Sequence, residues 1–128
     1  MIERILVVGL GRIGKRHLRI VRDLMPIADI RVLRHSECRE IPGTANGCFS
    51  TIEEATDFLP QIAVVANPAP FHISIAMDLV TVGCHLLIEK PMSVDTNPVL
   101  VVCVADIMGR LYSTAIPLIS SAMALMYV

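Results

Sequence analysis

Glycines at positions 9, 11 and 14 follow directly on an apolar run and form a G-x-G-x-x-G pattern. Gly9 would permit a tight turn, Gly11 would let the backbone approach a pyrophosphate, and Gly14 would let a helix pack closely on the strand. That helix would present its unpaired N–H groups and the positive end of its dipole to the phosphates. The spacing predicts a dinucleotide site that includes Arg12 and Ile13. A tight connection that binds nothing and an adenosylmethionine site remain as alternatives.

The end of the second predicted strand indicates which dinucleotide would bind. An acid about 20 residues past the last glycine would hold the ribose hydroxyls, whereas an arginine accommodates a 2′-phosphate. The chain has Arg34, His35 and Ser36 at this place, with Arg39 close by, and Glu37 is the nearest acid. These residues favour NADP over NAD as the cofactor, and the alternative is a solvated basic loop.

Polar residues also follow two later apolar runs. The stretch ANPAPFH, residues 66–72, ends one run, and IEKP, residues 88–91, ends another. In open parallel sheets ligands bind beyond the carboxyl ends of the strands, so these stretches could line the same edge as the glycine turn. A lysine beside a bound cofactor suits proton transfer, and the alternative is a surface lysine paired with the neighbouring glutamate. The candidate residues are Asn67, Pro68, His72, Glu89, Lys90 and Pro91.

The apolar pattern predicts the elements that would position these residues. Short apolar runs predict strands, and apolar residues at helical spacing predict helices. The predicted strands are residues 2–8, 28–34, 48–49, 61–66 and 85–88, and the predicted helices are 12–25, 50–59, 71–82 and 95–109. Strands that alternate with helices indicate a Rossmann-like, doubly wound α/β fold with a mainly parallel sheet in three α/β/α layers.

The first predicted helix carries an apolar stripe that should face the sheet. The stripe is expected to contain Ile13, His17, Ile20, Val21 and Leu24. On this reading the histidine at position 17 is a packed core residue rather than a ligand.

Together, GLGRIGKRH, ANPAPFH and IEKP resemble the N-terminal domain of the glucose–fructose oxidoreductase, inositol dehydrogenase and rhizopine-catabolism family (Gfo/Idh/MocA). The resemblance covers about residues 3–110. It implies a Rossmann domain that binds NAD or NADP, with the segment after the fourth strand lying along the nicotinamide.

The resemblance also implies roles for individual residues. Lys90 would face the reacting carbon of a sugar or cyclitol and help to move a proton while the nicotinamide moves a hydride. Glu89 and Pro91 would shape the loop around this lysine. The wall beside the cofactor would contain Asn67, Pro68 and His72.

Composition excludes several other classes of protein. The chain has 128 residues, 54% of them hydrophobic, which suits one domain with a filled core and argues against disorder. A net charge of −1 gives no basic footprint for nucleic acid. The cysteines form no C-x-x-C pair and no Cys/His cluster with zinc spacing, so no metal site is expected. Without a secretory signal at the N-terminus, we expect a cytoplasmic protein with reduced thiols.

Residues 111–128 depart from the family pattern, which continues into a substrate domain. We therefore expect a cofactor domain at 1–110 and an apolar tail at 111–128, which contains no charged residue. The tail could pack on the domain or on a second copy, anchor the chain in a membrane, or result from a broken reading frame. Pro117 and the Ser/Thr residues weaken the membrane alternative. The expected function is that of a truncated oxidoreductase of this family, needing a substrate domain from elsewhere, and the alternative is a non-catalytic nucleotide-binding module.

Overall fold

Five parallel strands form one sheet in the computed structural model, which describes residues 1–91. The strands are β1 Arg4–Val8, β2 Asp29–Leu33, β3 Gly47–Phe49, β4 Ile62–Val65 and β5 His85–Ile88. Their order across the sheet is β3-β2-β1-β4-β5, and every neighbouring pair is parallel. The chain therefore moves outward from β1 in one direction, then returns to the other side of β1. Such a reversal opens a crevice at the carboxyl ends of the two central strands.

Helices connect the strands and cover both faces of the sheet. They are α1 Arg12–Leu24, α2 Ile52–Asp57 and α3 His72–Thr81, with a short 3-10 turn at Ala69–Phe71 before α3. The capping box of Thr51 and Glu54 begins α2, and Gly83, with φ of +78°, follows α3. The structure thus confirms the predicted α/β fold with a Rossmann-like parallel sheet.

The side chains of β1 divide the core between the two faces. Leu6 and Val8 belong to the cluster that α2 and α3 cover, whereas Ile5 and Val7 belong to the cluster that α1 covers. None of these four side chains is more than 2% exposed. Complete burial of one such side chain contributes about 1.5 to 3 kcal/mol, so the central strand anchors both apolar layers.

Most element predictions are confirmed to within two or three residues at each end. The strand predicted at 2–8 begins at Arg4, and the helix predicted at 50–59 is the shorter Ile52–Asp57. The predicted helix at 95–109, the tail at 111–128 and Cys103 lie outside the described residues, as does the proposed domain boundary. In residues 1–91 no helix combines the length and the apolar character that crossing a membrane requires.

The predicted buried stripe of α1 is wrong at two positions. Ile13 is 44% exposed and Leu24 is 73% exposed, whereas the buried residues of the helix are Gly14, His17 and Leu18. The cause is the contact between Gly14 and the turn before the helix, which sets the rotation of α1 about its own axis. Residues three and four positions after Gly14 share its face, and that face points at the sheet.

The expectation of reduced thiols is wrong for two cysteines. Cys38, in the loop after β2, and Cys48, in β3, form a disulfide with 5.9 Å between their Cα atoms. This bond ties the loop after β2 to the edge strand of the sheet. The inference of a cytoplasmic location therefore loses the support that it took from reduced thiols. Cys84 is buried in the core between α3 and β5.

The corrected orientation of α1 predicts different effects for the same substitution at two positions of one helix. Leu18→Ala should lower the free energy of unfolding by about 2 to 5 kcal/mol because it leaves a cavity under α1. Leu24→Ala, at an exposed site, should change it by less than about 0.5 kcal/mol. Urea unfolding followed by circular dichroism measures both values. A larger loss of unfolding free energy for Leu24→Ala than for Leu18→Ala would mean that Leu24, and not Leu18, faces the sheet.

Candidate cofactor-binding site

The candidate residues lie at the carboxyl edge of the sheet, where four loops leave parallel strands. The backbone ladder continues one residue beyond the strands: Gly9 N–H donates to the Leu33 carbonyl at 2.9 Å and Ala66 N–H donates to Val8 at 2.9 Å. Glu89 N–H likewise donates to Val65 at 2.9 Å. These bonds fix where each loop begins. The sheet therefore brings the glycine turn, Arg34, Asn67 and the Glu89–Pro91 stretch to one edge.

The fold itself requires two of the three glycines. Gly9 has φ of +87°, and a Cβ there would lie 2.8 Å from the backbone N and Cα of Asn67. A Cβ at Gly14 would lie 1.9 Å from the Gly9 carbonyl oxygen. A Cβ at Gly11, by contrast, would meet no atom of the described chain within 4 Å. The backbone at Gly11 thus borders open space, as the approach of a phosphate would need.

The N-terminus of α1 faces this space. Gly11 is the N-cap, no side chain of the described residues caps the helix, and the first turn contains no acidic residue. Arg12 and Ile13 occupy that turn and are exposed. Backbone N–H groups and the helix dipole there favour an anion.

Asn67 supplies an observation that the sequence could not. Its side chain is only 8% exposed, yet neither its Oδ1 nor its Nδ2 has a hydrogen-bond partner in the described part of the chain. An unsatisfied buried polar group costs about 1 to 3 kcal/mol. A bound molecule that donates to the oxygen and accepts from the nitrogen would remove this cost. The amide therefore fits a polar ligand held beside the glycine turn.

His72 joins the exit of β4 to the end of the described chain. Its ring is 1% exposed, with Nε2 at 2.5 Å from the Asn67 carbonyl oxygen and Nδ1 at 3.0 Å from the Pro91 carbonyl oxygen. It is thus a structural link between two loops of the edge. Pro68, by comparison, is exposed at the start of the 3-10 turn.

The E-K-P stretch begins with a carboxylate whose two oxygens have different partners. Glu89 Oε1 pairs with Nε2 of His17 on α1, and Glu89 Oε2 accepts a hydrogen bond from Lys90 N–H at 3.3 Å. Lys90 and Pro91 are exposed. His17 is buried, as expected, but it is also a polar partner of this loop. No local signal in the sequence indicates this pairing, because Glu89 lies 72 residues away in the chain.

The loop after β2 carries the residues expected at the adenosine end. Arg34 is half-buried, Ser36 is exposed, and both line a hollow with Glu37, Arg39 and Glu40. Arg39 is engaged there, with its Nε 2.8 Å from Glu37 Oε2. The hollow thus offers both arginine and carboxylate groups to a ligand.

His35 and Phe71 connect the loops that follow β2 and β4. Their ring centroids are 5.7 Å apart with an interplanar angle of 50°. Phe71 is 49% exposed, and sequence reasoning missed it because one exposed aromatic residue has no distinctive spacing. Within residues 1–91, no group of three or more His, Cys, Asp and Glu side chains is placed to hold a metal ion.

Residues 3–105 match the model of the Gfo/Idh/MocA family, described as an oxidoreductase family with an NAD-binding Rossmann fold. The chain belongs to this family. No curated protein matches it by sequence. The matched region corresponds to the family's NAD-binding domain with a Rossmann fold.

Solved structures of dehydrogenases contain the same fold as this chain. GenD2 from gentamicin A biosynthesis, in complex with NAD, is 29% identical to this chain, and the two structures match with a TM-score of 0.70. The match covers 85% of this chain and 33% of the GenD2 chain. The WlbA dehydrogenase from Bordetella pertussis, in complex with NADH and UDP-GlcNAcA, is 22% identical with a TM-score of 0.67, over 84% and 34%. Myo-inositol 2-dehydrogenase from Lactobacillus plantarum is 19% identical with a TM-score of 0.69, over 82% and 33%. The chain thus spans about a third of the length of these structures.

The geometry at the glycines of this Gfo/Idh/MocA domain separates stability from binding. Gly11→Ala should lower the free energy of unfolding by no more than about 1 kcal/mol, the cost of alanine at a helix N-cap, since no atom of residues 1–91 obstructs the added methyl group. It should weaken NADH binding at least about tenfold if the phosphates lie against this backbone, because the methyl group would then occupy their space. Fluorescence titration and urea unfolding measure the two effects.

Gly14→Ala is the matched control for this prediction. Its methyl group would collide with the Gly9 carbonyl, so the variant should lose stability in the absence of any cofactor. If Gly11→Ala instead bound NADH as tightly as the wild type, the turn would not be the phosphate site.

Proposed function

We propose that this chain binds NADP or NAD along the carboxyl edge of its sheet and serves an oxidoreductase acting on a sugar or cyclitol. The observation that carries the proposal is the buried Asn67 amide, which has no partner in the described residues and whose backbone lies against Gly9 of the glycine turn. A bound polar ligand would satisfy this amide. The family match supports a dinucleotide as that ligand.

The glycine turn and the N-terminus of α1 would hold the pyrophosphate. Arg12 and Ile13 border it, and the Asn67 amide would pair with polar atoms farther along the cofactor. Pro68 would line the wall of this part of the site. His72 would contribute indirectly, because it fixes the Asn67 carbonyl and the Pro91 carbonyl in place.

Arg34, His35 and Ser36 would lie against the adenosine ribose. An arginine at this strand end accommodates a 2′-phosphate, and Arg34 directly follows the last residue of β2. We therefore propose a preference for NADP. GenD2 and WlbA have NAD and NADH in their structures, so the preference would be a property of this chain's own loop.

Lys90 is our candidate for the catalytic residue. When bound, the nicotinamide supplies the acceptor or donor of a hydride at the substrate carbon. The Lys90 amine would take the proton from the substrate hydroxyl during oxidation and return it during reduction. Glu89 and Pro91 flank Lys90. The Glu89 carboxylate accepts from the Lys90 N–H, and the Pro91 carbonyl lies against His72. The WlbA complex with UDP-GlcNAcA and the inositol dehydrogenase support a polyhydroxylated substrate.

Titration with NADPH, NADH and adenosylmethionine tests the cofactor site. A ligand at a hundred times its dissociation constant should stabilise the chain by about 2.7 kcal/mol, which thermal unfolding detects. We expect stabilisation by NADPH and NADH, with NADPH binding tighter, and none by adenosylmethionine.

Asn67→Leu sharpens this test because it removes the unsatisfied amide. Without ligand, the variant should be at least as stable as the wild type, because the substitution removes a buried amide that lacks hydrogen-bond partners in the described residues. It should bind NADPH at least about tenfold more weakly, because the ligand loses those hydrogen bonds. Tighter binding of NADH than of NADPH by the wild type would contradict the proposed preference. Binding of neither would overturn the proposal.

Lys90→Ala tests the catalytic assignment. The variant should bind NADPH within about threefold of the wild type, since the side chain is exposed at the end of the site, and should lose all turnover of cyclitols and sugars. Absorbance at the nicotinamide band follows the reaction. Full turnover by Lys90→Ala would disprove the assignment. NADPH binding without turnover by the wild type would favour a non-catalytic nucleotide-binding module.

A further inference from the structure

His17 is a buried polar residue on the helix of the glycine turn, and its partner lies 72 residues away in the chain. Its side chain is 5% exposed and its Nε2 pairs with Oε1 of Glu89, the first residue of the E-K-P stretch. A histidine that served only to fill the core would need no carboxylate beside it. The pair therefore links α1 to the loop that carries Lys90.

Glu89 is held from two sides. Its backbone N–H extends the sheet ladder to Val65 at 2.9 Å, and its carboxylate is held by His17. The second carboxylate oxygen, Oε2, accepts from Lys90 N–H at 3.3 Å. The direction in which the peptide of Lys90 leaves the sheet thus depends on a carboxylate that α1 holds.

We propose that His17 is a positioning residue for Lys90, which it orients by fixing the Glu89 carboxylate. The inference rests on the proposed function, in which Lys90 moves the proton. Helix α1 then has two tasks at the site: its N-terminus holds the phosphates, and His17, five residues further along, holds the loop of the proton-transfer residue. One rigid helix would set the spacing between the two ends of the reaction site.

Amide hydrogen exchange of the full chain, measured by NMR, tests this directly. In His17→Leu, which fills the core without a donor, exchange at the Lys90 amide should accelerate about tenfold while the Glu89 amide, held by the sheet, changes less than about threefold. In His17→Gln, whose side-chain N–H can donate to the same oxygen, protection of Lys90 should return. Arg16→Gln, an exposed neighbour on α1, should change neither amide.

Glu89→Ala supplies a second route if His17→Leu does not fold. This variant removes the acceptor while His17 stays, and Lys90 exchange should rise as much as in His17→Leu. The double variant should show no further rise, because His17 acts through Glu89. Equal acceleration at Lys90 and Glu89, no rescue by glutamine, or additive effects in the double variant would overturn the proposal.

NADPH titration of the wild type separates this result from the fate of the proposed function. Absence of NADPH binding would reject the cofactor site. The exchange data would still show whether His17 and Glu89 hold the backbone at Lys90. Normal NADPH binding with unchanged Lys90 exchange in His17→Leu would reject the positioning role alone.

Discussion

The close approach of α1 to the turn before it governs the rest of the structure. At Gly14 the helix lies so near the Gly9 carbonyl that any side chain would collide with it. Because backbone meets backbone there, the helix has one position on the sheet and one rotation about its axis. That rotation turns Leu18 into the core, leaves Ile13 exposed, and directs His17 toward Glu89. The same contact points the N-terminus of the helix at the open space beside Gly11.

The parallel sheet is the second determinant of the candidate site, because it brings loops that are distant in the chain to one edge. Backbone bonds one residue beyond β1, β4 and β5 fix the starts of those loops. His72 links the loop after β4 to Pro91, and Glu89 links the loop after β5 to His17 on α1. The Asn67 amide is buried and has no hydrogen-bond partner within residues 1–91, which costs about 1 to 3 kcal/mol unless a bound polar group satisfies it.

Local features of the sequence were sufficient to predict the fold. The strands are short apolar runs, the α2 capping box involves neighbours in the chain, and the glycine spacing has one common mechanical meaning. The rotation of α1 was mispredicted because hydrophobicity alone favours Ile13 and Leu24, and no hydropathy value records a contact between two glycines. The pair of His17 and Glu89 and the disulfide of Cys38 and Cys48 depend on how separate segments meet, which spacing does not determine. The roles of Lys90 and Arg34 follow from family resemblance and strand position, and they remain predictions.

In the proposed function, the bare backbone of the glycine turn holds the paired phosphates of a redox dinucleotide. The most direct measurement is the backbone amide spectrum of the labelled chain during titration with NADPH. We expect saturable chemical-shift changes that are largest at the amides of Gly11, Arg12 and Ile13. Saturable shifts confined to other parts of the sheet, with these three amides unmoved, would contradict it.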